Sequence, residues 1–283
     1  MKRLIVTADD FGLAPEVNEA VEEAHRRGLL SAASLMVGAP AAADAIRRAR
    51  RLPSLRVGLH LTLVEGAPTA PAVETPDLLD RAGRLRDDLV AYGAAILLRT
   101  AARRQLHAEI RAQFEAYRAA GLPLDHVDAH QHYHLHPAVM SELLAVGRDF
   151  GLKALRAPVE PLRLLRAVEP TRRALAASVA APWALLTRAR ARAAGLLVAD
   201  RVFGLAWSGA MGEARLEGLI ARLPEGLSEI YLHPATADQF AGSAAGYRHR
   251  EELAALTSER CRDALACSGA RLGGYADFAG RET

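Results

Sequence analysis

The stretch Arg3-Leu-Ile-Val-Thr-Ala-Asp-Asp-Phe-Gly12 opens with a short apolar, β-branched run and ends in two aspartates and a Phe-Gly pair. This pattern predicts a buried strand over residues 3–8 that runs into a loop. Apolar residues with helical spacing over 14–27, followed by Gly28, predict that a helix comes next, and a second strand fits residues 31–37. The chain therefore begins with a β-α-β unit.

The same alternation continues along the chain. It predicts helices at 41–51, 103–120 and 137–150, strands at 56–61, 125–129, 153–157, 229–232 and 271–275, and a Pro-rich loop at 67–77 that is candidate active-site surface. Repeated β-α units imply an α/β fold with a parallel sheet, either doubly wound or closed into a barrel.

The length of 283 residues lies within the range of single-domain barrels, so we expect one domain over 1–283. The segment 161–199 has a different composition, with seven arginines and Glu169 as its one acidic residue. We interpret this basic segment as an insertion or lid of the same domain.

Composition excludes several classes of protein. With 51% hydrophobic and 24% charged residues the chain is not disordered, and a formal net charge of +3 is too small to indicate a nucleic-acid partner. Cys261 and Cys267 provide neither a disulfide framework nor a cysteine-ligated zinc site. Residues 4–8 are too short for a signal-peptide core, and no uncharged stretch reaches the ~18 residues of a membrane-spanning helix. We therefore expect a cytoplasmic protein.

Histidines are concentrated in one segment. Five of the ten lie between His126 and His136, four of them in the run Asp128-Ala-His-Gln-His-Tyr-His-Leu-His136. Alternate residues of an extended segment share a face, so an extended conformation predicts that these side chains converge. Metal binding explains such density, and a solvated or hydrogen-bonded histidine loop is the alternative. The residues on the shared face would be His130, His132, His134 and His136.

Two adjacent carboxylates, Asp9 and Asp10, follow the first strand. Such a pair resists ionisation together unless a cation or an arginine compensates it, although an aspartate that caps the following helix would look the same. His60 by itself is more typical of a core histidine. Six polar residues, these three among them, lie near the carboxyl ends of predicted strands. In α/β proteins those strand ends form the catalytic face. The full set is Asp9, Asp10, His60, His130, Arg156 and His233.

One aspartate and two histidines around a divalent cation leave coordination positions open for water and substrate, which favours metal-assisted hydrolysis. Nucleotide-binding, dinucleotide-binding and serine-hydrolase motifs are absent from the sequence. A metal-dependent phosphoesterase, a glycoside hydrolase and a non-catalytic carbohydrate- or lipid-binding protein remain as alternatives.

The chain resembles the carbohydrate deacetylases of the YdjC type, which include chitooligosaccharide deacetylases. The matching motifs are Thr7-Ala-Asp-Asp-Phe-Gly12, Gly58-Leu-His60, Asp128-Ala-His-Gln-His132, Leu155-Arg-Ala-Pro158 and Leu232-His-Pro234. Three further stretches are similar to the hopanoid-biosynthesis-associated branch, which is understood to act on an N-acetylglucosaminyl hopanoid. These stretches are Ala32-Ala-Ser-Leu-Met-Val37, Val57-Gly-Leu-His-Leu61 and His134-Leu-His-Pro137.

The resemblance implies an irregular (β/α) barrel of the polysaccharide-deacetylase kind and one divalent metal ion. Asp and His ligands favour zinc, whereas the family is commonly described with magnesium. The implied substrate is an N-acetylglucosaminyl lipid or an oligosaccharide, and the lipid would require peripheral contact at the inner face of the membrane. The implied roles are metal ligand for Asp10, His60 and His130, base for Asp9 with Arg156 as its partner, acid for His233, and substrate contact for His132 and His134.

Overall fold

A computed structural model of the protein describes residues 1–170 and 174–279, with side chains described from residue 178 onward in the second range. All seven named strands pair in parallel, in the order β4-β3-β2-β1-β6-β5, and β7 pairs with β1. They are β1 Lys2–Phe11, β2 Ala32–Leu35, β3 Arg56–Leu61, β4 Val127–Ala129, β5 Arg201–Phe203, β6 Gly226–Leu232 and β7 Arg271–Leu272.

Single bridges connect the two edges of this sheet. Leu155 pairs with Val127 of β4, and Ala154 pairs with Leu197, which lies just before β5. The sheet thus curves into a barrel that is irregular between β4 and β5. The prediction of an irregular α/β barrel is confirmed.

Helices alternate with the strands and cover the outside of the barrel. They are α1 Pro15–Arg27, α2 Ala42–Arg50, α3 Leu89–Leu98, α4 Thr100–Ala119, α5 Pro137–Asp149, α6 Leu162–Val168, α7 Ala174–Ala193, α8 Glu213–Ala221, α9 His249–Thr257 and α10 Glu259–Ser268. No described helix combines the length and the apolar character needed to cross a bilayer.

The alternation of side chains along each strand creates two cores. In β1, Leu4 and Val6 belong to the large core between the barrel and its helices, whereas Ile5 belongs to a smaller core that includes Leu227 of β6. Inside the barrel, Thr7 of β1 is the next residue on the face of Ile5. Its hydroxyl donates a 2.7 Å hydrogen bond to Glu229 of β6. The interior therefore changes from apolar to polar toward the carboxyl ends of the strands.

The histidine segment is not extended, so that prediction is wrong. Residues His130–Leu135 form a 3-10 turn, here called the histidine turn, in which Gln131 and His132 have left-handed φ angles of 51° and 53°. The turn is needed because β4 ends at Ala129 and α5 begins at Pro137 in the opposite direction. Side chains of the turn therefore point in several directions instead of alternating.

Two other expectations need correction. Residues 153–157 form isolated bridges rather than a continuous strand, because Ala154 and Leu155 pair with different neighbours. The Pro-rich loop 67–77 does not line the cavity described below. Its backbone is instead anchored to α4, where the buried Glu109 accepts hydrogen bonds from the N–H groups of Thr69 and Ala70.

The basic segment 161–199 contains α6 and α7. None of its described residues lines the cavity at the carboxyl ends of the strands. Arg172 and Arg173, two of its seven arginines, lie outside the described residues. The prediction that this segment is an insertion or lid stays a prediction.

Candidate functional site

A cavity of about 410 Å³ opens at the carboxyl ends of the strands. The loops after β1, β3, β4 and β6 contribute to its wall, as expected for the functional face of an α/β barrel. Five of the six residues that the sequence placed near strand ends line it, and His132 of the histidine turn does so as well. Those five are Asp9, Asp10, His60, His130 and His233.

A break in β1 allows both adjacent aspartates to reach the cavity. Consecutive residues of a regular strand point to opposite faces. The pairing of β1 with β2 changes register between Ala8 and Phe11, and Asp10 has a left-handed φ of 62°. This bulge turns Asp10 to the same side as Asp9.

Asp10, His60 and His130 form a cluster in which one ligand atom from each lies within 4.8 Å of the others. Oδ1 of Asp10 is 3.3 Å from Nε2 of His60 and 3.1 Å from Nδ1 of His130. Nε2 of His60 is buried and has no hydrogen-bond partner. Three donor atoms of types that bind a divalent cation therefore converge on one point.

Each of these two histidines has a carboxylate at its other ring nitrogen. Oδ1 of Asp128 lies 2.8 Å from Nδ1 of His60, and Oε2 of Glu65 lies 3.6 Å from Nε2 of His130. Burial lowers the pKa of His60, but the carboxylates of Asp128 and Asp10 outweigh it and raise that pKa to about 10. In the same way, Asp10 raises the pKa of His130 to about 9 against the effect of burial.

Arg156 is fully buried beneath the cavity and joins three carboxylates. It donates to Asp9 at 2.7 and 2.9 Å and to Glu229 at 2.8 Å, and its guanidinium lies 2.6 Å from Oδ2 of Asp128. The structure thus brings Arg156 and Asp9, which the family resemblance pairs, into contact, and their catalytic roles stay a prediction. Burial and the neighbouring Asp128 raise the pKa of Asp9 above its ordinary value, because together they exceed the opposing effect of Arg156.

The charges of this cluster suit a divalent cation. Four carboxylates lie in the cluster or beneath it. Among the described residues, Arg156 is the one arginine or lysine in ion-pair contact with any of them. They are Asp9, Asp10, Asp128 and Glu229. A second grouping, Asp9 with His60 and Asp128, also has ligand geometry, but Arg156 already occupies both of its carboxylates. The Asp10–His60–His130 cluster is therefore the better metal site.

His233 follows β6 and lies in the wall of the cavity, 12% exposed, with its ring 5.1 Å from that of Tyr247. Its backbone N–H donates to Oε2 of the fully buried Glu252. The same oxygen is 4.0 Å from Nδ1 of His233, which is buried without a hydrogen-bond partner. Glu252 thus lies behind His233 and contacts both its backbone and its ring.

The other histidines of the turn have different surroundings. Nε2 of His132 lies 2.8 Å from the hydroxyl of Tyr231, and burial lowers the pKa of His132 well below its ordinary value. His134 is fully buried and its Nε2 donates to the carbonyl of Arg156, so it supports the chain below the cavity instead of lining it. His136, which directly follows the turn, stacks on Tyr133, with ring centroids 6.1 Å apart.

Left-handed backbone is concentrated at this site. The four described non-glycine residues with positive φ, which are Asp10, Glu65, Gln131 and His132, all line the cavity. Such conformations are unfavourable and persist where the surrounding structure imposes them, commonly at functional sites.

Sequence reasoning missed several residues of the site. Asp128 and Glu229 lie in buried strands, where a carboxylate requires a partner, and that was a usable signal. Glu65, Tyr231 and Tyr247, which line the cavity, and Glu252, which lies behind His233, had no such signal, because only the packing of distant segments brings them to the site.

A parallel (β/α) barrel with a carboxylate–histidine cluster and a paired Asp–Arg at its carboxyl face places this protein in the class of α/β barrels with a candidate metal site. Residues 3–267 match the model of the YdjC-like protein family. The chain belongs to this family.

Relatives and a solved structure agree with this assignment. A carbohydrate deacetylase of Brevibacillus brevis is 38% identical over 52% of this chain and 56% of the relative, so the match spans about half of that protein. A carbohydrate deacetylase of Geobacillus stearothermophilus is 30% identical over 97% of both chains. A candidate cellobiose-phosphate cleavage protein from Enterococcus faecalis V583 has a similar structure, with a TM-score of 0.76 and 25% identity over 98% of this chain and 99% of that one.

Proposed function

We propose that this protein is a carbohydrate N-deacetylase that depends on one divalent metal ion and removes the acetyl group from an N-acetylglucosamine unit. The observation that carries the proposal is the position of the Asp10–His60–His130 cluster next to Asp9, which Arg156 holds, in one cavity. The carbohydrate deacetylases of Brevibacillus brevis and Geobacillus stearothermophilus described above support the same reaction class.

Asp10, His60 and His130 would hold the metal ion. Zinc suits this mixed nitrogen and oxygen donor set, and magnesium is the alternative. The ion would supply Lewis acidity toward the acetyl carbonyl and toward water. The unpartnered Nε2 of His60 and the excess of carboxylates both fit a bound cation.

Asp9 is the proposed general base. It is 3% exposed at the wall of the cavity, so it can accept a proton from a water molecule there. Two hydrogen bonds from Arg156 fix the plane of its carboxylate. A base acts best when its pKa lies close to the working pH, and the raised pKa of Asp9 moves in that direction.

His233 is the proposed general acid that protonates the departing amine. An amine leaves poorly unless it receives a proton. Nδ1 of His233 lies 4.0 Å from the carboxylate of Glu252, and Nε2 would be the proton donor. His132, held by Tyr231, is the proposed contact to the sugar, and His134 would act on it only through the backbone that it supports.

The finer proposal is that the amino sugar belongs to an N-acetylglucosaminyl hopanoid lipid, and a chitooligosaccharide is the alternative substrate. The three stretches similar to the hopanoid-associated branch support the lipid. Since such a lipid lies in a bilayer, this proposal places a cytoplasmic protein at the inner face of the membrane.

Incubation of the metal-loaded protein with N-acetylglucosaminyl hopanoid and, separately, with N,N′-diacetylchitobiose, here called chitobiose, tests both levels of the proposal. Acetate released from the hopanoid at the higher kcat/KM supports the finer proposal, and faster release from chitobiose supports the alternative. The metal-free protein is the control for metal dependence. No acetate from either substrate would contradict the deacetylase proposal as a whole.

A further inference from the structure

Exposed large apolar side chains are concentrated on two helices. Ten such side chains occur among the described residues, and eight of them lie on α3 or α7. The eight are Leu89, Val90, Leu97, Leu98, Val179, Trp183, Leu185 and Leu186. Scattered exposed apolar residues are ordinary, but a concentration of this kind indicates a surface that meets another phase or molecule.

The spacing of these residues places them in stripes. On α3, Val90 and Leu97 are seven residues apart, and both are more than half exposed. On α7, Val179, Trp183 and Leu186 follow one another at intervals of four and three residues. Residues with this spacing share one side of a helix, so each helix presents a continuous apolar stripe to solvent.

Both helices pack beside the histidine turn. The ring of Tyr92 of α3 stacks on Tyr133 of the turn at 5.4 Å, and the Tyr133 hydroxyl donates to the carbonyl of Leu89. Helix α7 contacts the turn directly, and Arg190 near its end donates to the carbonyl of Pro137 at the start of α5. The two helices that carry the apolar stripes therefore flank the segment whose His130 and His132 line the cavity.

Most charges next to the stripes are positive. The exposed Asp87 and Asp88 precede α3, and Asp88 is paired with Arg86. No aspartate or glutamate occurs at positions 89–108, where Arg99 and Arg104 are exposed, or at positions 170–199. Two copies of this chain joined through these helices would bring arginines toward one another, whereas an anionic lipid surface supplies the opposite charge. Tryptophan is also a residue that favours the boundary between lipid and water, and Trp183 is 49% exposed.

We propose that α3 and α7 together form a docking surface for an anionic lipid leaflet, here called the docking face. This inference rests on the proposed lipid substrate and adds the element that would bring the protein to it. With both helices at the leaflet, the turn that lines the cavity lies next to the head groups. A lipid-linked sugar can then enter while its apolar part stays in the membrane.

The experiment is co-sedimentation of the full chain with vesicles of phosphatidylcholine alone and of phosphatidylcholine with phosphatidylglycerol. We expect binding to the anionic vesicles that weakens with added salt. The double variant Leu98→Ser, Trp183→Ser should reduce the vesicle partition coefficient roughly tenfold or more, because both apolar side chains lose their burial in lipid. Val73→Ser is the matched control, since Val73 is 88% exposed but lies on neither helix.

A second pair of variants tests the charge. Arg99→Gln, Arg104→Gln should weaken binding to anionic vesicles only. Arg27→Gln, Arg222→Gln should leave it unchanged. These exposed arginines lie at the end of α1 and just after α8, toward the amino ends of β2 and β6 on the opposite side of the barrel.

Tryptophan fluorescence gives an independent measurement. Trp183 and the fully buried Trp207 are the two tryptophans, so a Trp207→Phe variant isolates Trp183. Lipids brominated on the acyl chain should quench Trp183 in anionic vesicles. Circular dichroism and acetate release from chitobiose verify that each variant is folded.

The outcomes separate docking from catalysis. Vesicle binding without acetate release would contradict the deacetylase proposal and leave the docking face intact. Acetate release from chitobiose without vesicle binding would overturn the docking face alone. Equal loss of binding in Val73→Ser would also overturn it, as would a change from dimer to monomer in Leu98→Ser, Trp183→Ser without an effect on vesicle binding.

Discussion

Oδ1 of Asp128 lies 2.8 Å from Nδ1 of His60, which leaves Nε2 of the same ring facing Asp10. In the neutral ring this carboxylate favours the proton on Nδ1, so that the lone pair of Nε2 faces the position of a cation. Glu65 has the equivalent position at His130, but with the two ring nitrogens exchanged. Once both rings are neutral, the two carboxylates favour opposite tautomers, so that Nε2 of His60 and Nδ1 of His130 face the same point.

The variant Asp128→Asn should bind zinc about 10–100-fold more weakly, because the neutral amide no longer selects this tautomer of His60. Titration calorimetry of the metal-free protein measures the change. Ser34→Ala is the control, since it removes a 2.9 Å hydrogen bond to the other oxygen of Asp128 and leaves the contact with His60. An unchanged affinity in Asp128→Asn would show that this carboxylate does not position the ligand.

Removal of a proposed ligand should remove the metal itself. His60→Ala and His130→Ala are each expected to lose most bound zinc and nearly all activity, because two remaining ligands bind weakly. Elemental analysis of the purified variants tests this. Asp9→Asn is the control, since Asp9 is paired with Arg156 and should leave the metal content unchanged. Full metal content in either histidine variant would contradict the ligand set.

The proposed acid and base should affect turnover without affecting the metal. Asp9→Asn and His233→Ala are each expected to lower kcat about 10²–10⁴-fold while zinc stays bound. Steady-state rates of acetate release, with metal content measured on the same samples, give the comparison. An unchanged kcat in both variants would rule out these roles.

Metal binding should release protons. The pKa values of about 10 for His60 and about 9 for His130 mean that both rings are protonated near neutral pH in the metal-free protein, whereas a bound ligand is neutral. Zinc should therefore displace about two protons, and its affinity should rise with pH until these pKa values are passed. Calorimetry in buffers with different ionisation enthalpies counts the protons. An affinity that does not change between about pH 6 and pH 9 would contradict this prediction.

Arg156 should matter for stability as well as for orientation. Arg156→Leu leaves Asp9, Asp128 and Glu229 buried without their cation, so the free energy of unfolding should fall by about 3–5 kcal/mol. Denaturant unfolding provides the value. Arg260→Leu, which breaks an exposed ion pair with Glu217, should cost no more than about 1 kcal/mol. Comparable losses in the two variants would show that the buried cluster contributes no more than a surface pair.

The sequence by itself determined the alternation of strands and helices, and hence a parallel α/β fold, because burial of apolar residues with a period of two or 3.6 is a local property. Closure of the sheet into a barrel was implied only by the family resemblance. The sequence also placed Asp9, Asp10, His60, His130 and His233 at strand ends, and strand ends of parallel strands meet at one face. Only the tertiary structure decided which polar groups touch. The bulge at Asp10, the left-handed turn at His132 and the carboxylates of Asp128, Glu65 and Glu252 depend on contacts between segments far apart in the chain, and local periodicity carries no information about them.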